Sequence, residues 1–176
     1  MEMSMDTPSP DLPPEYTTSR IIQIVCLSWL TMLGIDFLVH GGLLENLYAA
    51  ESAFLLPAEI AFQRIPLGYL SFLILAIFLV WLVVQLRIMG IRRGFMFGLM
   101  IGFMVWGALI LGLFSISTAN SSLLLGWWIG QSVELAAAGS VAGYALAAAK
   151  LRRVWVGVLG LVFLLLVLTV LIQNIG

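Results

Sequence analysis

The sequence predicts an all-α polytopic membrane protein, a bundle of five transmembrane helices with a short outer interfacial helix. Three observations carry that prediction. Hydrophobic residues make up 62% of the 176-residue chain and charged residues only 10%, against about 25% charged in a soluble domain. Five apolar stretches, 21–44, 67–86, 95–114, 123–149 and 154–172, are each long enough to cross about 30 Å of hydrocarbon at about 1.5 Å per residue. The cations segregate: Arg20, Arg87, Arg92, Arg93, Lys150, Arg152 and Arg153 fall on one side of the spans and only Arg64 on the other. Short cytoplasmic loops retain Lys and Arg, so the N-terminus is expected in the cytoplasm and the C-terminus outside, with residues 21–176 forming one transmembrane domain.

Each segment has its own reason. Residues 1–20 carry Glu2, Asp6, Asp11 and Glu15 with four prolines, a composition that cannot bury a core, so a disordered cytoplasmic tail is expected there. The tail does not open with positive charge and the apolar run behind it is long, so a cleaved signal peptide is not expected. In the connection 45–66, Pro57 can begin and Pro66 can end a short amphipathic helix at the outer interface. The third span places Gly94, Gly98 and Gly102 four residues apart, a stripe without side chains that lets another helix approach closely. Gly139 and Gly143 do the same in the fourth span, which is expected at the centre of the bundle. The fifth is nearly all Val, Leu and Phe with Thr169 as its polar side chain, and is expected to face lipid or a partner.

Cys26 is the only cysteine, so no disulfide can form within the chain. The net charge of -1 and the absence of a basic face argue against nucleic acid. The expected partners are the lipid bilayer and a second copy of the chain or a larger membrane complex.

Charge inside a span is costly and marks candidate sites. Asp36 and His40, four residues apart in the first span, share one helical face with Trp29 and Leu43. Trp127, Gln131 and Glu134 form a comparable stripe in the fourth. Counted from Leu44 and Leu123, Asp36 and Gln131 lie at matching depths of about 12 Å, His40 and Trp127 at about 6 Å, and Glu134 at about 16 Å. Trp106 and Tyr69 approach the same level, and Arg64 is the one outer cation available to a carboxylate. Asp36, His40, Gln131, Glu134 and Arg64 are therefore the candidate cluster for a ligand or a proton. The structural alternative is a closed hydrogen-bonded network that fixes helix register.

Asp36, His40 and Glu134 also offer one nitrogen and two oxygens to a metal ion. Against this stands the single histidine: di-iron bundles present a Glu-x-x-His pair on each of two helices, and this chain has none. No cofactor is predicted, and no catalytic residue is assigned. Ser115, Ser117, Thr118 and Asn120 read as a turn rather than as an activated hydroxyl.

The pattern Asp36-x-x-x-His40-Gly41-x-Leu43-Leu44-x-x-x-Tyr48, followed by the glycine-spaced third span and by Trp128, Gly130, Glu134 and Gly139, resembles a loose group of small bacterial integral-membrane proteins. The resemblance implies a protein of the bacterial inner membrane and carries no activity, ligand or catalytic role with it. The DoxX-like and tryptophan-rich sensory families are not matched. The function expected first is a non-enzymatic membrane protein that binds or passes a small solute or proton through the outward-facing cluster. A structural or assembly subunit of a larger complex comes second, and a membrane enzyme with a metal or acid–base site third.

Overall fold

The computed structural model describes residues 16–49 and 54–175, and among these the chain is all-α, without a strand. Helix α1 (Thr18–Leu38) runs directly into a π-helical segment (Val39–Leu43), and the short α2 (Glu45–Ala49) follows. Helices α3 (Ala58–Gln85), α4 (Ile91–Ile116), α5 (Ser121–Ala147) and α6 (Leu151–Ile175) complete the bundle. Among the described residues four helices are long and apolar enough to cross a membrane: α1 with its π segment, α3, α4 and α6. Helix α5 is as long, at 27 residues, but Gln131, Ser132, Glu134 and Ser140 dilute its apolar character.

That dilution matches its place. Helices α1 and α5 run antiparallel side by side, α4 packs on α5, α6 packs on α1, and α3 contacts both α1 and α5. Small residues let α5 take the crowded position. A Cβ on Gly98 would run into the carbonyl oxygen of Leu135, one on Gly94 into that of Gly139, and one on Gly102 would come within 2.8 Å of Ser132 Cα. From the other side, a Cβ on Gly143 would lie 2.7 Å from Gly90 O. The backbones of α4 and α5 touch, which is what close packing demands where lipid removes the hydrophobic drive between helices. The buried Thr31 and Thr169 hydroxyls return to their own helices, donating to Leu27 O at 2.8 Å and to Leu165 O at 2.9 Å, while the buried Ser28 hydroxyl donates across to Ala138 O of α5 at 3.4 Å.

Helix α6 presents one buried face, Val154, Val158, Leu165 and Thr169, and a broad exposed one that includes Val156, Phe163 and Val170. Its buried face seats against Gly34, Gly41 and Gly42 of α1 and the π segment, where Val162, Leu165, Thr169 and Ile172 lie closest. The expectation that this helix looks outward therefore holds for one face only.

Two sequence-based boundaries are corrected. Residues 16–20 belong to the bundle and not to the tail: Tyr16 is buried, and Thr17 caps α1 by accepting the Arg20 N–H at 3.3 Å. Residues 1–15 lie outside the described residues. No separate helix lies between Pro57 and Pro66, because α3 starts at Ala58 and passes through Pro66. The missing proline N–H leaves the Phe62 carbonyl without its helical donor, but residues 61–68 are all exposed, so that carbonyl is at the surface and no neighbouring helix is disturbed.

The antiparallel packing gathers the starts of α1, α4 and α6 at one end of the bundle, and with them the seven cations Arg20, Arg87, Arg92, Arg93, Lys150, Arg152 and Arg153. The α3–α4 connection there is tightly made. Arg87, at φ 52°, ends α3 in the left-handed conformation, with Ile88 N–H to Val83 O at 2.9 Å and Arg87 N–H to Val84 O at 3.1 Å, the paired bonds of a Schellman stop. Gly90, at φ 92°, then donates its N–H to Gly143 O at 2.8 Å.

Candidate functional site

At the opposite end the first span changes its winding. Gly41 and Gly42 lower the local helix preference, and Leu44 N–H bonds to Val39 O at 2.8 Å, five residues back, as in a π turn. Gln173 at the end of α6 donates to Gly41 O at 2.7 Å. The chain then turns at Leu44 into α2, and that turn brings Tyr48 back over His40.

Four helical segments meet at the imidazole of His40. Its Nδ1 lies 2.7 Å from the Tyr48 hydroxyl. Its Nε2 lies 3.1 Å from Gln131 Nε2, 3.5 Å from Glu134 Oε1 and 3.8 Å from Asp36 Oδ1. The same Gln131 amide nitrogen donates to Glu134 Oε1 at 3.1 Å. Because an amide nitrogen can only donate, Nε2 accepts, so the imidazole is neutral and carries its proton on Nδ1, towards Tyr48. Trp127 Nε1 also donates to the Tyr48 oxygen. Burial pushes the Tyr48 phenol above its ordinary range, with the Trp127 bond opposing, so it remains a neutral hydroxyl. Phe54 and Tyr48 flank the Trp127 ring, with centroids at 6.1 and 6.4 Å.

The centre is acidic and incompletely bonded. Glu134 is fully buried, and its Oε2 has no hydrogen-bond partner; neither has Gln131 Oε1. Among the described residues the carboxyls that approach the neutral His40 imidazole are those of Glu134 and Asp36. The side chain of Glu134 is 0% exposed, that of His40 12% and that of Asp36 20%, so the site opens on the Asp36 side.

The structure thus brings together Asp36, His40, Gln131 and Glu134. It leaves out Arg64, which is exposed on α3, so the expected membership of that arginine in the cluster is corrected. Trp106 is half-buried, with its Nε1 atom buried and unpartnered, and Tyr69 offers its backbone oxygen to Trp29 Nε1 at 2.9 Å. The depth match is corrected too: His40, counted as level with Trp127, reaches Gln131 and Glu134. The reason is geometric. Side chains lean towards the N-terminus of their own helix, so in antiparallel neighbours those of α1 lean inward from this end and those of α5 lean out to meet them.

Sequence reasoning missed the contact of Tyr48 with His40, although Tyr48 stands in the pattern quoted above; the Gly41-Gly42 pair was the signal that the chain could turn there. Gly94, Gly98, Gly102, Gly139 and Gly143 lie at the α4–α5 contact, away from this centre. Comparison with known protein families, with curated proteins and with solved structures finds no match. Function therefore has to be argued from the site's own chemistry.

Proposed function

We propose that the chain is a five-span protein of the bacterial inner membrane, with its N-terminus and arginine-rich end in the cytoplasm, and that it binds a small cationic solute at the outward-facing centre of Asp36, His40, Gln131 and Glu134. The observation that carries this reading is that two carboxyls converge on one neutral imidazole with no lysine or arginine beside them, while one oxygen of the buried Glu134 is unpartnered. A polar group deep in a bundle either has its bonds completed by protein or completes them with a ligand. The role of α5 as fifth span is supported by its position against α1, α3 and α4, which shield its polar residues.

The test is thermal unfolding of the purified protein in mild detergent with sodium, guanidinium, tetramethylammonium and divalent cations in turn. A cation that fits should stabilise the wild type by about 2.7 kcal/mol at a hundredfold excess over Kd and leave the Asp36→Asn/Glu134→Gln double variant unmoved. If no cation separates the two proteins, the reading is wrong. Orientation is tested separately: a reporter active only outside the cytoplasm should work when fused after Asn120 and fail after Arg93 or Arg153.

A second reading, a structural or assembly subunit, draws support from the Gln131–His40 bond, which ties α1 to α5 and would fix their register. On that reading a partner, or a second copy, remains bound through mild-detergent purification and no cation matters.

A further inference from the structure

Resting on the cation-binding reading, we propose that the solute is a divalent transition-metal ion, held by His40 Nε2 and by one carboxylate oxygen each from Asp36 and Glu134. The donor atoms of these three residues all lie within 4.8 Å of one another. The two edges that run from Nε2 measure 3.5 and 3.8 Å. A tetrahedron built on bonds of about 2.0–2.1 Å to nitrogen and oxygen has edges of about 3.3 Å, so the two edges from Nε2 need close by only a few tenths of an ångström, and the edge between the carboxylates, within 4.8 Å, closes by rotation of the Asp36 and Glu134 side chains.

Three further features fit the same occupant. The tautomer is already the right one: with Nδ1–H directed to Tyr48 at 2.7 Å, the lone pair of His40 sits on Nε2, and Tyr48 is the outer hydrogen-bond partner that metal-ligating histidines ordinarily have. Trp127, donating to the Tyr48 oxygen, holds that partner in turn. Charge balances, since two carboxylates and a neutral imidazole cancel a divalent ion without any other cation. The unpartnered atoms also have a use. Gln131 now places its amide nitrogen 3.1 Å from Nε2, where the metal would bond, and must turn aside; half a turn of the amide presents the buried, unbonded Gln131 Oε1 as a fourth, neutral donor.

The nitrogen donor selects the ion. Imidazole suits zinc, copper, iron and nickel, whereas magnesium, calcium and manganese prefer all-oxygen sites. Entry is from the Asp36 side, the more open edge, and Glu134 forms the floor.

The experiment is a cobalt titration of the chelator-treated, full-length protein in mild detergent, followed by its visible ligand-field bands. The wild type should take up one Co2+ per chain, with bands intense enough for four- or five-coordination, and zinc should displace it. Asp36→Asn and Glu134→Gln should each weaken binding at least a hundredfold, and Tyr48→Phe should weaken it about 10- to 100-fold without changing stoichiometry. If Glu134→Gln fails to fold, Asp36→Asn at the open edge decides alone. Absence of one-to-one uptake by folded wild type overturns the proposal, as does equal uptake by wild type and Asp36→Asn. Should cobalt fail while guanidinium or tetramethylammonium still stabilises the wild type selectively, the metal is wrong and the cation reading stands. Should neither act, both are wrong.

Discussion

The C-terminal end of α5 and its middle treat their polar groups differently. At the arginine-rich end three carbonyls at or just past its last turn are engaged, with Arg20 Nε the one buried polar side-chain atom there left unbonded among the described residues: Gly143 O accepts from Gly90 N–H at 2.8 Å, and Ala145 O, at 3.1 Å, and Ala148 O both accept from the Arg20 guanidinium. A cation on a helix C-terminus also meets the negative end of the helix dipole. Near the middle of the helix, Gln131 and Glu134 each keep a buried oxygen with no donor, beside an imidazole whose lone pair is occupied only by an amide. The first arrangement stabilises the fold. The second costs stability and needs another justification, because each unmet buried polar group costs about 1–3 kcal/mol. Function is expected where the fold accepts that cost.

The difference can be broken most severely on the packing side. Gly98→Ala would place a methyl against the Leu135 carbonyl oxygen, where backbone and not a flexible side chain must move, so the loss should be about 3 kcal/mol or more. Gly157→Ala is the control: nothing lies within 4 Å of a Cβ there, and gaining a better helix former should leave stability equal or higher by up to about 1 kcal/mol. Unfolding in detergent monitored by circular dichroism checks both. Similar behaviour of the two variants would mean that α4 and α5 do not touch as described.

Arg20→Met ranks next. It keeps the aliphatic stem but strips the guanidinium from two carbonyls at the end of α5, and hydrogen bonds to a charged group contribute about 1.5–3 kcal/mol. A fall of that size in unfolding free energy, with cation binding at the distant centre unchanged, is the expected outcome. A loss of binding without loss of stability would mean that the end of α5 and the centre are not independent.

Tyr48→Phe acts on the site end at smaller cost. It leaves Trp127 Nε1 and His40 Nδ1 without their common acceptor, yet both lie near the edge of the bundle, where water can substitute, so about 1 kcal/mol is expected. The fluorescence of the protein should also change, since the Trp127 indole loses its bond. A silent substitution would remove Tyr48 from the centre.

Much of this contrast was legible in the sequence, and the parts that were not have definable causes. The helices could be read because apolar runs and clustered arginines follow from composition alone. Gly94, Gly98 and Gly102 could be read as a contact stripe because a spacing of four needs only helical geometry. Asp36, His40, Gln131 and Glu134 could be grouped for the same reason. The start of α1 at Thr18 was missed because a polar, charged segment gives no apolar signal even when Tyr16 before it is buried. Pro66 was over-read as a terminator, since its cost depends on whether the freed carbonyl faces a neighbour, which no local pattern records. The π segment and the return of Tyr48 over His40 depend on tertiary contacts, among them the Gln173 bond to Gly41 O from a helix more than a hundred residues away.

The smallest expected effect on stability is the sharpest test of the comparison. Glu134→Gln keeps the size of the side chain and replaces an oxygen that has no partner with an amide group, while the remaining oxygen can still accept from Gln131. If Glu134 were a register lock like Arg20, losing its charge would lower stability by a comparable amount, about 1.5–3 kcal/mol. If the carboxyl is held for a ligand, its desolvation and its proximity to Asp36 burden the ligand-free protein, and replacing a buried charge by a neutral isostere is neutral or stabilising. We expect the free energy of unfolding without added cations to stay within about 1 kcal/mol of wild type or to rise, while stabilisation by cation disappears. A large fall without cations would put Glu134 in the same class as Arg20 at the C-terminal end of α5, and the centre would then be structural.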